Sequence, residues 1–378
     1  MVQEKNMLDM KLKQYNQQLT NQGLLRKRQL TCDPKHINFC SNDYLSLGSD
    51  PRIKKAYQEG FQRYASGSGG SMVVCGYHPI HKKLEDAFAE ALRVDDCLLF
   101  SSGYAANLSV ANLLGQLGAY VYIDKCIHAS VYDGLKLSKV RYSRYLHNSY
   151  LDLSAKVDAM SQSGAIFTES IFSMSGQIAP LTQFANLCGT AGNKLLVDEA
   201  HAFGVMGNEG LGGVAHVGLG QDIVPLRVIP FGKAYASQGA IVAGKGEWIE
   251  ALQQAARPHI YSTSMSPALV FGVLKTLEFV RVADDRRAKL QDLIVYFRDA
   301  ITASNLQWQN SSTAIQQLQL GCPLRALEFA ERLKEHAIFC LPIRQPTVNK
   351  KETGLRFVLN YHHQYEHIDD LFRRLSAL

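Results

Sequence analysis

Apolar residues recur along this chain in two alternating rhythms. Leu8, Leu12, Tyr15 and Leu19 fall at helical spacing, which predicts an amphipathic helix over residues 6–21. Both signs of charge decorate its polar face, so it should dock on the body of the protein or on a partner chain and not lie on a membrane. A short strand is expected at His36–Phe39, then a helix over 51–65 with Pro51 in its first turn. Ile80, Leu84, Phe88 and Leu92 define the next helix. From Cys97 the stretch CLLFSSGYAANLSVANLL reads strand, turn, helix. Strands then follow at 119–123, 141–145, 165–169, 194–198, 226–230 and 240–244, with helices at 129–138, 150–160 and near 181–190 between them. Such alternation predicts an α/β fold, a mainly parallel sheet with helices on both faces.

A long helical pattern begins near Pro267 and runs past Phe297, and residues 313–378 read as a smaller α+β unit: a helix over 323–336, a strand over 355–359 and a helix over 366–376. The pattern divides the chain into an N-terminal helix and short strand (1–45), a large domain (46–265), and a linking helix with a small C-terminal domain (266–378).

Bulk properties narrow the class. The 378 residues are 46% hydrophobic and 20% charged, ordinary values for a globular protein with a sizeable core. Net charge is +6, yet the densest basic cluster is Arg26-Lys27-Arg28, too short to point to nucleic acid. The eight cysteines show no CxxC and no ligand-like spacing with histidine, so buried free thiols in a reducing cytosol are expected, with no metal. Residues 1–20 carry charges and lack the apolar run of a leader, and no run reaches the length of a membrane span. A cytoplasmic location follows as an expectation.

Two strand ends carry the chemistry. In KLLVDEAHAFG the run Leu195-Leu196-Val197 stops abruptly at Asp198, Glu199 and His201, and in open α/β sheets ligands bind beyond the carboxyl ends of the strands. Solvated strand-end charges remain the alternative. The second stretch, LRVIPFGKAYAS, tips the balance. Between Arg227 and Gly244 only Lys233 is charged, set among glycine, small and aromatic residues. A lysine in apolar surroundings becomes a competent amine nucleophile. A carboxylate on one strand end and an isolated lysine on another is the layout pyridoxal phosphate needs, one to hold its ring nitrogen and one to form the Schiff base. Ser101-Ser102-Gly103, between an apolar run and a helix, leaves free N–H groups at a helix N-terminus, the best phosphate cradle in the chain. Two glycine-rich stretches carry no comparable signal. Gly67–Ser71 misses the dinucleotide fingerprint, and Gly239–Lys245 fits GxxxxGK but is followed by Gly246. His128 falls between a strand and a helix on the side where the crevice would open. Arg356 lies inside the apolar run LRFVL and needs an anionic partner.

On the stretches FCSNDYLSLG, SGSGGSMVVCGYHPIHKKLE, LLFSSGYAANLSV, HASVYDGL, TESIFSMSGQIAPL, VDEAHAFGVMG, FGKAYASQGA and YSTSMSPA, the chain resembles the α-oxoamine synthases, pyridoxal 5'-phosphate enzymes of fold type I. The resemblance runs from about Leu25 to the end, and SGSGGSMVVCGYHP favours the oxononanoate-forming branch over the 5-aminolevulinate one. It implies condensation of an amino acid with an acyl thioester carried by CoA or an acyl-carrier protein. By position it makes Lys233 the Schiff-base lysine and Asp198 the pyridinium partner. His128 would stack on the ring, with His201 and Ser173 at the phenolic oxygen. Ser102, Gly103 and Tyr104 would bind phosphate. Arg356 would clamp the amino-acid carboxylate, Asn42 would lie near the substrate, and Arg26 and Thr347 would line the acyl side. It further implies a homodimer, in which Ser262 and Thr263 reach the partner's phosphate. Two departures stand out. Pro230 replaces the family's usual Thr or Ser three residues before the lysine, and Ser175 replaces the Asp of SMDG.

Overall fold

The computed structural model describes residues 7–28, 30, 36–160 and 163–377. Seven of its strands form one sheet. In chain order, after β1 (Ile37–Asn38), these are β2 (Asp96–Phe100), β3 (Tyr120–Asp124), β4 (Arg141–Tyr145), β5 (Ala165–Glu169), β6 (Lys194–Asp198), β7 (Leu226–Pro230) and β8 (Ala240–Gly244). Their spatial order is β2-β8-β7-β6-β5-β3-β4. β3 through β7 run parallel, while β8 is antiparallel to both neighbours, β2 and β7. The nine residues from Phe231 to Gly239 that join β7 to β8 are too few for a crossover helix, so the chain can only turn back on itself. The expected mainly parallel α/β sheet is observed.

The apolar strands read as continuous runs because both faces are covered. Leu196 joins Phe167, Val110, Leu114, Val131 and Leu252 in the core on one side. Leu195 and Val197 join Ile166, Leu153, Phe184 and Leu187 on the other. Buried from two sides, the central strands β5 and β6 carry their acidic groups at their carboxyl ends, which is where the site sits.

The chain divides into two compact units. One comprises Asn42–Ser173 and Gln177–Lys289 and contains the sheet; the other comprises Met1–Ser41, Met174–Gly176 and Leu290–Leu378. The second is built on β9 (Ile315–Gln319), β11 (Leu341–Ile343) and β12 (Gly354–Val358), an antiparallel trio in the order β11-β12-β9. β10 (Ile338–Phe339) pairs with β1. Phe297, Trp308, Phe357 and Phe372 pack ring against ring there.

Three expectations need amendment. The long helical pattern is two helices, Pro267–Arg281 and Asp284–Ala303. The apolar spacing carries across the break, but Asp284 and Asp285 favour a fresh N-terminus through their charge on its free N–H groups. The N-terminal helix, Met7–Asn21, buries no residue among the described residues, and Leu8 is 78% exposed, so of the two expected docking places only a partner chain is left. Of the cysteines, only Cys97, Cys188 and Cys340 are buried; Cys40 and Cys126 are half-buried, Cys75 and Cys322 are exposed, and Cys32 lies outside the described residues. Among the described residues no helix is long and apolar enough to cross a membrane.

Candidate active site

Parallel strands end together, and here β5, β6 and β7 deliver Glu169, Asp198 and Pro230 to one edge of the sheet. A cavity of about 410 Å³ opens there, lined by Ser102, Gly103, Tyr104, His128, Asp198, His201 and Lys233. Seven of the residues singled out from sequence are thus brought together. Asn107, Ser130, Glu169 and Pro230 line it too.

The charged end of β6 splits into two jobs. Glu199 does not line the cavity, and both of its oxygens are engaged in a buried network. Its Oε1 accepts Arg227 Nη2 at 3.0 Å and Val214 N at 2.9 Å, and its Oε2 accepts Ser170 Oγ at 2.7 Å and Gly213 N at 2.8 Å. Glu199 and Arg227 are both buried, and the pair is a structural clamp. Asp198 does line the cavity. Its Oδ1 accepts Ala200 N at 2.9 Å and its Oδ2 accepts Asn107 Nδ2 at 2.7 Å.

Asn107 links two predicted site residues. Besides Asp198, its amide donates to Ser130 Oγ at 2.9 Å, and Ser130 Oγ lies 2.7 Å from His128 Nδ1. The backbone N–H of Ser130 also points at His128 Nδ1, at 3.3 Å. An N–H can only donate, so Nδ1 is the acceptor and the proton of neutral His128 sits on Nε2. Burial keeps this imidazole below its ordinary pKa; the Asp198 charge opposes that and the Lys233 charge adds to it. A neutral, flat ring held at its edge is suited to stacking.

His201 is fixed from elsewhere. The hydroxyl of buried Tyr44 lies 2.6 Å from His201 Nδ1 and 3.4 Å from Asn42 Oδ1. This places Asn42 two hydrogen bonds, through Tyr44, from the cavity-lining His201. At the cradle, Ser102 caps the helix Gly103–Gln116, its Oγ accepting Ala105 N at 3.1 Å. Tyr104 is 44% exposed and hydrogen-bonds Asp133. Lys233 is half-buried on the turn after β7.

The remaining expected site residues lie outside the cavity lining. Ser173 is buried, its N–H donating to Glu169 Oε2 at 3.2 Å. Ser262 and Thr263 are exposed and line a separate narrow crevice with Ser101. Arg26, Thr347 and Arg356 belong to the smaller unit. There Arg26 Nη2 donates to Thr347 Oγ1 at 3.1 Å, joining two residues 321 positions apart, and Arg356 is buried in β12.

Sequence reasoning missed Asn107, Tyr44 and Glu169. Two had a signal. Asn107 stands four residues before Ala111 and seven before Leu114, on the apolar stripe of its helix, where a buried amide needs partners. Glu169 ends an apolar run just as Asp198 does. Tyr44 had none.

A half-buried amine, a carboxylate, a neutral imidazole and free N–H groups at a helix N-terminus make a donor set that fits pyridoxal 5'-phosphate. Comparison with known proteins agrees. The family model for aminotransferase class I and II matches residues 34–375. An 8-amino-7-oxononanoate synthase from Hahella chejuensis is 39% identical over 365 residues, covering 96% of this chain and 91% of the relative. The crystal structure of 8-amino-7-oxononanoate synthase from Francisella tularensis superposes with a TM-score of 0.81 at 32% identity, covering 91% of this chain and 98% of that one. A serine palmitoyltransferase from S. paucimobilis with PLP and myriocin bound shares the fold, with a TM-score of 0.89 at 24% identity, covering 99% and 97%.

Proposed function

The chain belongs to the aminotransferase class I and II family, and from that premise we propose that it condenses L-alanine with a pimeloyl thioester, releasing CO2 and the carrier's free thiol and forming 8-amino-7-oxononanoate for biotin synthesis. The observation that carries this reading is the meeting of Lys233, Asp198, His128 and His201 on one cavity beside a helix N-terminus, in a chain so similar to 8-amino-7-oxononanoate synthases.

Pyridoxal phosphate, when bound, supplies an electron sink for the carbanion at the amino acid's Cα. The chain's residues do the rest. Lys233 would hold the cofactor covalently, and its Nζ would be the base that takes the Cα proton of alanine. Asp198 holds the ring nitrogen protonated, and Asn107 and the Ala200 N–H keep its two oxygens aimed. His128 stacks, held in its neutral tautomer by Ser130. His201, oriented by Tyr44, donates at the phenolic oxygen together with Ser173. Ser102, Gly103 and Tyr104 offer the helix N-terminus to phosphate. Arg356 takes the substrate carboxylate, Asn42 lies beside the substrate, and Arg26 and Thr347 line the acyl side, with CoA or an acyl-carrier protein as carrier. The working form in this reading is a cytoplasmic homodimer. The uncovered apolar face of Met7–Asn21 supports the dimer.

The test is an absorbance spectrum with PLP, followed by L-alanine, glycine and L-serine in turn. A visible band that L-alanine alone perturbs strongly, with a further change on adding pimeloyl thioester, is the expected result. A response to glycine or serine instead moves the protein to a sister activity. Lys233→Ala should lose both the band and turnover, and retained turnover would overturn the assignment.

A further inference from the structure

Glu169 closes β5 where Asp198 closes β6, and the two are direct partners in the parallel register. Glu169 is 2% exposed and lines the cavity. Its Oε2 accepts the Ser173 N–H at 3.2 Å, while Oε1 is buried and has no hydrogen-bond partner among the described residues. The mechanism derived above gives it no task.

Two carboxyls on adjoining strand ends in a dry wall cannot both carry charge cheaply. The donors decide between them. Asp198 has one at each oxygen, from Asn107 and Ala200. Among the described residues Glu169 accepts a single hydrogen bond, from the Ser173 N–H, and the charged groups acting on it most are Asp198 and then Asp124, both negative. Burial first, and the Asp198 charge second, push its carboxyl well above the usual carboxylate range. Oε1 is left as the buried atom with nothing to bond, on a residue that lines a cavity built for a polar ring.

We propose that Glu169 keeps a proton and turns its Oε1–H to the cavity as a neutral hydrogen-bond donor beside the Asp198 carboxylate. The ligand of this donor rests on the pyridoxal phosphate reading; the protonation does not. A neutral acid here adds a hydrogen bond without setting a second negative charge against the one that holds the ring nitrogen.

Infrared difference spectroscopy of wild type against Glu169→Gln, with and without PLP, reads the proton directly. A protonated-carboxyl band at neutral pH that vanishes in the variant is expected. The pH midpoint of the PLP absorbance should agree between wild type and Glu169→Gln to about 0.2 unit, because one neutral donor replaces another. Glu169→Ala, which removes the donor, should weaken PLP binding by about ten-fold. Absence of the infrared band, or a midpoint displaced by about one unit or more in Glu169→Gln, would mean an ionised Glu169 and overturn the proposal. Wild type that develops no visible band with PLP would sink the cofactor reading, while the infrared comparison would still decide the proton.

Discussion

Gly103 and Pro230 face each other so closely that a methyl group on Gly103 would lie 2.5 Å from Pro230 Cγ and 2.9 Å from its Cβ. Gly103 is the first residue of the helix whose N-terminus forms the phosphate cradle, and the pyrrolidine ring is stiff. Neither partner can give way without moving the cradle. Gly103→Ala should therefore weaken PLP binding by about ten-fold or more, with a far smaller loss of thermal stability. Equal PLP affinity in titrations of the two proteins would show that the contact does not set the cradle.

The same contact bears on the proline itself. Pro230 ends β7 with neither an N–H nor a side-chain donor to offer an anion. A threonine there would place a hydroxyl next to the helix N-terminus, and hydrogen bonds to charged groups contribute about 1.5–3 kcal/mol. Pro230→Thr should tighten PLP binding by about ten-fold. A titration showing no gain would mean that the present cradle already satisfies the phosphate.

Asn107 couples the acid to the stacking histidine through Ser130. Asn107→Ala removes the donor to Asp198 and leaves the Ser130 hydroxyl free to rotate away from His128. The expected outcome is a loss in kcat of about ten- to a hundred-fold with a displaced pH–rate profile. A merely structural asparagine would lower stability and leave the pH profile where it was.

Tyr44→Phe should act first on His201, through the shorter of the hydroxyl's contacts to His201 and Asn42. Removing a hydroxyl 2.6 Å from Nδ1 frees the ring to change tautomer and rotamer. About a ten-fold fall in kcat with little change in the KM for the amino acid is expected. A change confined to KM would point instead to the neighbouring Asn42 and the substrate side.

The strand ends were legible in sequence because burial on both faces leaves apolar runs with abrupt polar stops, and β4 through β8 match the expected spans residue for residue. That rule could not say which way a strand-end acid turns. Asp198 and Glu199 are adjacent, yet one lines the cavity and the other clamps Arg227, a difference set by the pleat and by partners far along the chain. Tyr44 was illegible for the same reason, since its partner His201 is 157 residues away. The break at Val282–Ala283 escaped notice because apolar periodicity persists across it.

Away from the cavity, buried Glu85 and half-buried His147 make the stability of the protein pH-dependent. Glu85 accepts Tyr77 OH at 2.6 Å and Leu99 N at 3.1 Å. Burial outweighs these bonds and raises its carboxyl from 4.5 to about 7. Between those values the folded protein holds a proton that the unfolded chain has released, so stability falls as pH rises through that window. His147 Nδ1 lies 2.9 Å from Asp124 Oδ1, and its Nε2 lies 2.7 Å from Gln177 Oε1. Burial alone would depress this imidazole, but the hydrogen bonds to Asp124 and Cys126, with the Asp124 charge, raise it from 6.5 to about 10. Its contribution is complete below 6.5 and is lost as pH climbs to about 10. The melting temperature, followed from pH 4.5 to 10 with PLP present, should fall in two successive steps. Glu85→Gln should erase the acid-side step and His147→Gln the alkaline one. A variant that kept the wild-type slope in its own window would show that its group does not titrate as the geometry requires.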